Sequence, residues 1–358
     1  MNAYGVNLKL KIYGGSHDEK IGMILSGIPA GEAIDLDALR AFMARRAPGN
    51  DKFSTARKEP DEPIFLSGLD GNITNGEPIE AVIYNTNQRS GDYSSLVDIP
   101  RPSHADYAAR VKYGEDVDLR GGGHFSGRLT APMCIAGGIC LQILARKGID
   151  ICAHILSVAG VSDDNFDLTN PSSADFGAIK AKKFATISPS AEDKMRAIIE
   201  EARLDGDSVG GVIECAATGI PAGLGEHMFL GVEGRISSII FGIPAVKGIE
   251  FGLGFGSAAL HGSENNDAFY TDGEKVYTKT NNAGGILGGM TSGMPLIFRA
   301  AIKPTPSIAK EQDSVSLSKM ENVKLKISGR HDPCILPRAV PVFEAATAIA
   351  IFDMLLDR

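Results

Sequence analysis

Cysteine is scarce in this chain, and its arrangement argues against two organising schemes. Cys134, Cys140, Cys152, Cys215 and Cys334 form an odd set with no Cys-x-x-Cys pair. A disulfide framework is therefore disfavoured, and reduced thiols in the cytoplasm are expected. The opening "MNAYGVNLKLKIYGGSH" has no continuous apolar core, so no signal peptide is expected there. The most apolar helical stretch, Val340 to Leu356, is interrupted by Glu344 and Asp353 and reads as a buried core helix rather than a membrane span. A broad basic face is missing too: the formal net charge is −8, which speaks against nucleic acid as a partner. Any anionic ligand must then be held by a few local arginines and lysines.

Standard cofactor and metal motifs are also lacking. "GIEFGLGFGSAALHG" follows an apparent strand, but after Gly252 and Gly254 the third fingerprint position is Ser257, so the dinucleotide pattern fails. "RGGGHFSGR" lacks the Gly-Lys-Ser/Thr of a P-loop, and no His-Glu-x-x-His supports a metal site. Neither Ser16 nor Ser126 sits in a Gly-x-Ser-x-Gly elbow, so both read as relays or hydrogen bonders rather than nucleophiles.

Glycine, by contrast, is abundant. Forty-two glycines in 358 residues, without a collagen-like period, mean many loops of positive φ or close backbone approach. A chain of this length forms one large domain or two closely packed halves. "NLKLKIYG" alternates as a strand, and "IGMILSGIPAG" reads as a strand ending in a turn. "DLDALRAFMARRAPGN" reads as a helix capped by Asp35, with Leu36, Leu39, Phe42 and Met43 inward and Pro48-Gly49 as its stop. A second helix is expected from about Ser190 to Leu204, with Ser190 and Asp193 at capping-box spacing and Gly206 beyond its end. "GMILSGIPAG" is echoed by "GVIECAATGIPAGLG", and each half ends in an arginine-bearing loop, a proline and a long apolar helix. The expectation is an α+β fold: a single domain over 1–358 whose two related halves, roughly 1–150 and 205–358, pack helices centrally with sheets outside.

Four of the seven histidines, His17, His104, His124 and His331, lie in polar loops framed by glycine or proline. Converging on one cleft they would supply general acids and bases; each alone is as readily a turn cap. Arg45, Arg46, Arg128, Arg330 and Arg338 stand beside those loops, where guanidinium groups could hold carboxylate and phosphate bidentately. "IKPTPSIAK" places Lys303, Thr305 and Ser307 on a segment that Pro304 and Pro306 keep from being helical, suited to a phosphate tail or simply to a turn. From the residues alone, what remains is glycine backbone close to a flat or phosphorylated ligand.

In order along the chain, "GGSH", "ARRAPG", "NTNQRSGDY", "RPSHADYAARVKYG", "RGGGHFSGR", "GDSVGG", "GIPAGLGE", "IPAVKGIEFG", "GSENND", "NNAGGILGGM", "KPTPSIAK" and "GRHDPC" resemble the chorismate synthase family nearly end to end. The resemblance implies reduced FMN (FMNH2) as cofactor and anti 1,4-elimination of phosphate from 5-enolpyruvylshikimate 3-phosphate, the last step of the shikimate pathway. It implies His17 as proton donor to the departing phosphate, His104 as keeper of the flavin protonation state, and Asp332 as the carboxylate at flavin N5. Ser16 and Ser126 would be proton relays or flavin contacts. FMN would be held by His124, Phe125, Ser126, Gly288, Lys303, Pro304, Thr305, Pro306, Ser307 and Arg330. The phosphorylated carboxylate substrate would be held by Arg46 with Arg45, Arg128 and Arg338. A homotetramer of protomers with two antiparallel sheets around a helical layer is implied as well. Whether NADPH reduces the flavin on this chain or a separate flavin reductase does so is left open, the missing fingerprint favouring the latter. Three departures from the common family pattern stand out: His124-Phe125-Ser126 replaces Arg-Ser-Ser, Leu129 replaces a glutamate, and Asp18 replaces the glycine after His17.

Overall fold

The computed structural model describes residues 3–47, 49, 61–85, 98–327 and 332–357. Strands β1 (Ala3–Tyr4), β2 (Lys9–Tyr13) and β3 (Lys20–Ser26) follow one another as antiparallel neighbours. On β3, Ile21, Met23 and Leu25 are fully buried, the period-two signature of a strand with one face on the core. Helix α1 (Leu36–Arg46) begins where expected: the Asp35 carboxylate accepts from the backbone N–H groups of Asp37 and Ala38, both at 2.9 Å. Its expected stop at Pro48 lies outside the described residues, and Arg46 is its last helical residue. Strands β4 (Ile64–Ser67) and β5 (Ile79–Tyr84) complete an antiparallel sheet of order β1-β2-β3-β5-β4.

Helices α2 (Asp106–Tyr113) and α3 (Thr130–Arg146) come next. The second half then runs through β6 (Asp150–Val158), β7 (Val161–Ser162), α4 (Ser173–Lys180), α5 (Pro189–Leu204), β8 (Gly211–Thr218), α6 (Val232–Ile240), β9 (Val246–Phe251), β10 (Leu296–Ile302) and α7 (Leu336–Leu355). A second antiparallel sheet has the order β9-β10-β8-β6-β7. The echoed segments are thus the middle strands of the two sheets, β3 and β8. The fold is α+β, as expected.

Helix α5 starts one residue before the expected Ser190, and the Ser190–Asp193 capping box does not form. Ser188 is the N-cap and Pro189 takes the first helical position, where its fixed φ suits the helix and its missing N–H costs nothing.

Helix α3 packs on β3 and β5, α7 packs on β6 and β8, and the two helices lie against each other. Their contact depends on Gly137, where an added Cβ would stand 2.3 Å from the Cα of Ala345. The two acids inside the apolar α7 have interior partners. Glu344 receives a bidentate pair from Arg45 at 2.5 and 3.0 Å, and Asp353 accepts the backbone N–H groups of Val6, Asn7 and Leu8 while pairing with Arg235 at 2.6 Å. The C-terminal helix α7 is buried along nearly its whole length, as expected of a core helix, and among the described residues the helix long and apolar enough to span a bilayer by length and composition, Gly127–Arg146, is likewise largely buried inside the protein. All five cysteines are free and buried, and burial pushes the thiols of Cys134 and Cys215 up to about 12.

Candidate active site

Three loops meet at the glycine run before α3. Gly121, Gly122 and Gly123 have φ of +57°, +91° and +51°, a conformation that only glycine adopts cheaply three times in succession. The backbone passes directly over two histidines: a Cβ on Gly121 would lie 2.1 Å from His17 Cε1, and one on Gly122 would lie 3.4 Å from His104 Nε2. The Gly123 carbonyl accepts the Ser16 backbone N–H at 3.2 Å, tying the "GGSH" loop to the same place. Ser16 and His17 are both buried there, and Ser126 Cβ would lie 3.4 Å from the same Gly122 Cβ that meets His104.

His104 belongs to the loop entering α2. Its Nδ1 lies 2.6 Å from Asp106 Oδ1, while Arg101 donates to both oxygens of that carboxylate at 2.7 and 2.8 Å. Burial alone would raise the Asp106 pKa, but the hydrogen bonds from Arg101 and His104 overcome it and hold the carboxyl well below the usual range. Ser103, just before, has φ of +60°, and its carbonyl accepts from Lys303 Nζ at 2.8 Å. The segment leaving β10 is thereby fastened at both ends to the histidine loop, because Arg101 also donates to Ser307 Oγ at 3.3 Å. Between them, Thr305 Oγ1 is buried with no hydrogen-bond partner among the described residues. Burial, and secondarily the nearby Lys247, lowers the Lys303 pKa.

Positive charge gathers on the opposite side of Ser126. Asp61 pairs with Arg46 Nε at 2.8 Å and with Arg128 Nη1, all three being buried. Burial opposes ionisation of Asp61, but the two guanidinium groups outweigh it and lower its pKa. Arg128 also donates from its backbone to Ser126 Oγ at 3.3 Å and from Nε to Asn85 at 3.1 Å. Arg338 donates to Asp332 at 2.5 Å and to the Arg46 carbonyl at 3.1 Å, linking the start of α7 to the end of α1. Burial, with Arg46 adding to it, lowers the Arg338 pKa against the pull of Asp332. Arg46 Nη2 is buried without a hydrogen-bond partner among the described residues. A second anion brought here would meet donors already in place.

The structure therefore brings Ser16, His17, His104, Ser126, Arg46, Arg128, Arg338 and Asp332 into one connected region, with Lys303 to Ser307 along its edge. Arg45 turns away to Glu344. His124 is exposed, its Nδ1 2.8 Å from the Gly14 carbonyl, and Phe125 lies against Tyr113 with ring centroids 6.3 Å apart. Gly288 sits in an exposed hairpin bonded to residues 223–232, and no hydrogen bond joins that hairpin to the histidine loops among the described residues. Arg330 and His331 lie outside the described residues. Sequence reasoning missed Asp61, Arg101 and Asp106. Asp106 was visible two places after a singled-out histidine, whereas nothing in the sequence around Asp61 marks it as a partner of two distant arginines.

Comparison with known proteins shows the family of the chain. The family model described as chorismate synthase matches residues 8–356. Chorismate synthase of Lancefieldella parvula is 44% identical over 365 aligned residues, covering 99% of this chain and 96% of the relative. That of Thermococcus kodakarensis is 44% identical over 359, covering 99% and 97%. A crystal structure of chorismate synthase superposes with a TM-score of 0.76 at 26% identity, covering 99% of this chain and 92% of the other. This chain belongs to the chorismate synthase family.

Proposed function

We propose that the site around Gly121 to Gly123 eliminates phosphate from 5-enolpyruvylshikimate 3-phosphate to give chorismate, with reduced FMN bound against the glycine loop. The observation that carries this reading is the close approach of one side-chain-free backbone run to both His17 and His104, near the buried Arg46 and Arg128 and the partly buried Arg338. The residues suit such a ligand pair. The unsatisfied Thr305 hydroxyl and the partly exposed Lys303 ammonium fit a phosphate tail, and the spare Arg46 Nη2 fits a carboxylate or phosphate of the substrate. Reduced flavin, when bound, supplies electron density that assists loss of the ester and is then returned, chemistry that no side chain provides.

The protein groups divide the remaining work. Arg46, Arg128 and Arg338 neutralise the substrate anions in a buried setting where such contacts are strong. His17, as imidazolium, donates its proton to the leaving phosphate oxygen. His104 and Ser126 border the flavin side of the glycine loop, and Asp332, oriented by Arg338, receives or relays the ring proton. Ser16 hydrogen-bonds beside His17. The glycine run and the buried His17 limit the access of water, which keeps the departing group from competing solvation.

The two sheets flanking α1, α3, α6 and α7 support a sandwich of two duplicated halves within a single domain. Exposed Met228, Phe229 and Phe255 support assembly of protomers, for which a homotetramer is the family expectation. Five reduced, buried cysteines support a cytoplasmic setting.

The deciding experiment is anaerobic turnover of the enolpyruvyl substrate with chemically reduced FMN and a chelator present. Phosphate and chorismate should appear together, and omitting the flavin should abolish both. Equal turnover without flavin would leave a metal-assisted or flavin-free lyase; FMN binding without turnover would leave a binding protein. Adding NADPH with oxidised FMN tests whether a separate reductase is needed.

A further inference from the structure

The 2.6 Å contact between His104 Nδ1 and Asp106 Oδ1 needs one proton between the two atoms. Asp106 cannot be its owner. Its carboxylate already receives Arg101 Nε at 2.7 Å, Arg101 Nη2 at 2.8 Å and the Arg101 backbone N–H at 3.0 Å, and it occupies the first position of α2, where the helix dipole favours a negative charge. With Asp106 ionised, the proton lies on His104 Nδ1. Arg101 Nη2, 3.1 Å from Nδ1, is then a second donor converging on the same oxygen rather than a partner of the imidazole. In the neutral ring the lone pair consequently sits on Nε2, and that nitrogen is the one facing Gly122 and Ser126.

We propose that Asp106, kept ionised by Arg101, is a positioning residue that fixes His104 as its Nδ1–H tautomer and aims the Nε2 lone pair at the glycine loop. The inference rests on the reading of that loop as the flavin-side wall of the site, but the proton position is a property of the ligand-free protein. The carboxylate is 2% exposed, so little water competes with the ring for it. Arg101 has a second function in the same arrangement, because its Nη1 reaches Ser307 and so couples the orientation of His104 to the Lys303 to Ser307 segment.

Two measurements test this. In protein labelled with 15N-histidine, solid-state NMR with His104→Gln as the assignment control should show neutral His104 protonated at Nδ1; an Nε2–H resonance overturns the proposal without any variant of Asp106. In Asp106→Asn, the histidine signal should move toward a tautomer mixture, and kcat should fall by about 10²-fold while KM and FMN affinity stay within about threefold. Asp106→Glu should recover part of the loss. An Asp106→Asn enzyme with wild-type kcat, or one whose KM rises as kcat holds, shows that the carboxylate does not act through His104. Should chorismate formation fail while the Nδ1–H tautomer is found, the functional reading falls and the dyad stands.

Discussion

Gly121 carries no side chain and borders His17 so closely that one methyl group would strike the ring, 2.1 Å from Cε1. Its φ of +57° adds strain for any other residue. Gly121→Ala should therefore fold but displace His17, lowering kcat by about 10²-fold, a size typical of losing one acid–base group; a variant with native kinetics would show that His17 is not held by this contact. His17→Ala and Asp332→Ala should each reduce kcat at least as much when reduced FMN is supplied, with FMN affinity within a few-fold of wild type by fluorescence titration. A variant of either that retained turnover would remove that residue from the proton chemistry. The histidines were legible in the sequence because glycine and proline framed them. Asp61 and Asp106 were not, since an acidic residue becomes informative only when the fold places a guanidinium against it.

Between elements, the tightest dependence is at the C-terminal end of α7. Asp353 takes three backbone N–H groups from the turn between β1 and β2 and also pairs with Arg235 on α6, so one fully buried carboxylate ties three parts of the chain together. Asp353→Ala would leave Arg235 buried without its main partner and should cost about 3 to 5 kcal/mol in chemical denaturation; a loss below about 1 kcal/mol would mean solvent replaces the carboxylate there. The start of α5 teaches the same lesson at lower stakes. Ser190 and Asp193 have the spacing of a capping box, yet Pro189 supplies a preset φ and moves the N-cap to Ser188. Spacing proposes a cap, but the backbone one residue earlier decides it.

For the molecule as a whole, stability should depend on pH from both sides. On the acid side, Asp61 and Asp106 have lowered pKa values despite burial, through their arginine partners. Their stabilisation is complete above the unfolded carboxylate value of about 4 and is lost as pH falls toward the lowered folded values. On the alkaline side, His154 is fully buried between Asp163 at 3.3 Å and Glu214 at 3.0 Å, with Arg299 on the far side of Glu214. Burial opposes its charge, but the two carboxylates win and raise its pKa. That contribution is complete below about 6.5 and is lost as pH climbs through the raised value. Calorimetric Tm against pH should show a plateau with a decline at each end, and His154→Gln should flatten the alkaline decline. An unchanged alkaline limb in that variant would assign it to other groups.

The amino-acid sequence alone was enough to reveal local and ordered features: strand alternation on β2, the apolar run of β3 closed by a turn, the Asp35 cap, two apolar helices, the echo between β3 and β8, and a motif order specific enough to indicate the family. Those features depend on residue types a few positions apart, which the chain displays directly. Only the tertiary structure decided which charges meet. Arg45 and Arg46 are adjacent on α1, yet successive helical residues point about 100° apart, so one reaches Glu344 in the helical layer and the other Asp61 beside the glycine loop. The same distinction separates the exposed His124 from the buried His17 and the partly buried His104, because burial and partner distance, not neighbouring letters, set what an ionisable side chain can do.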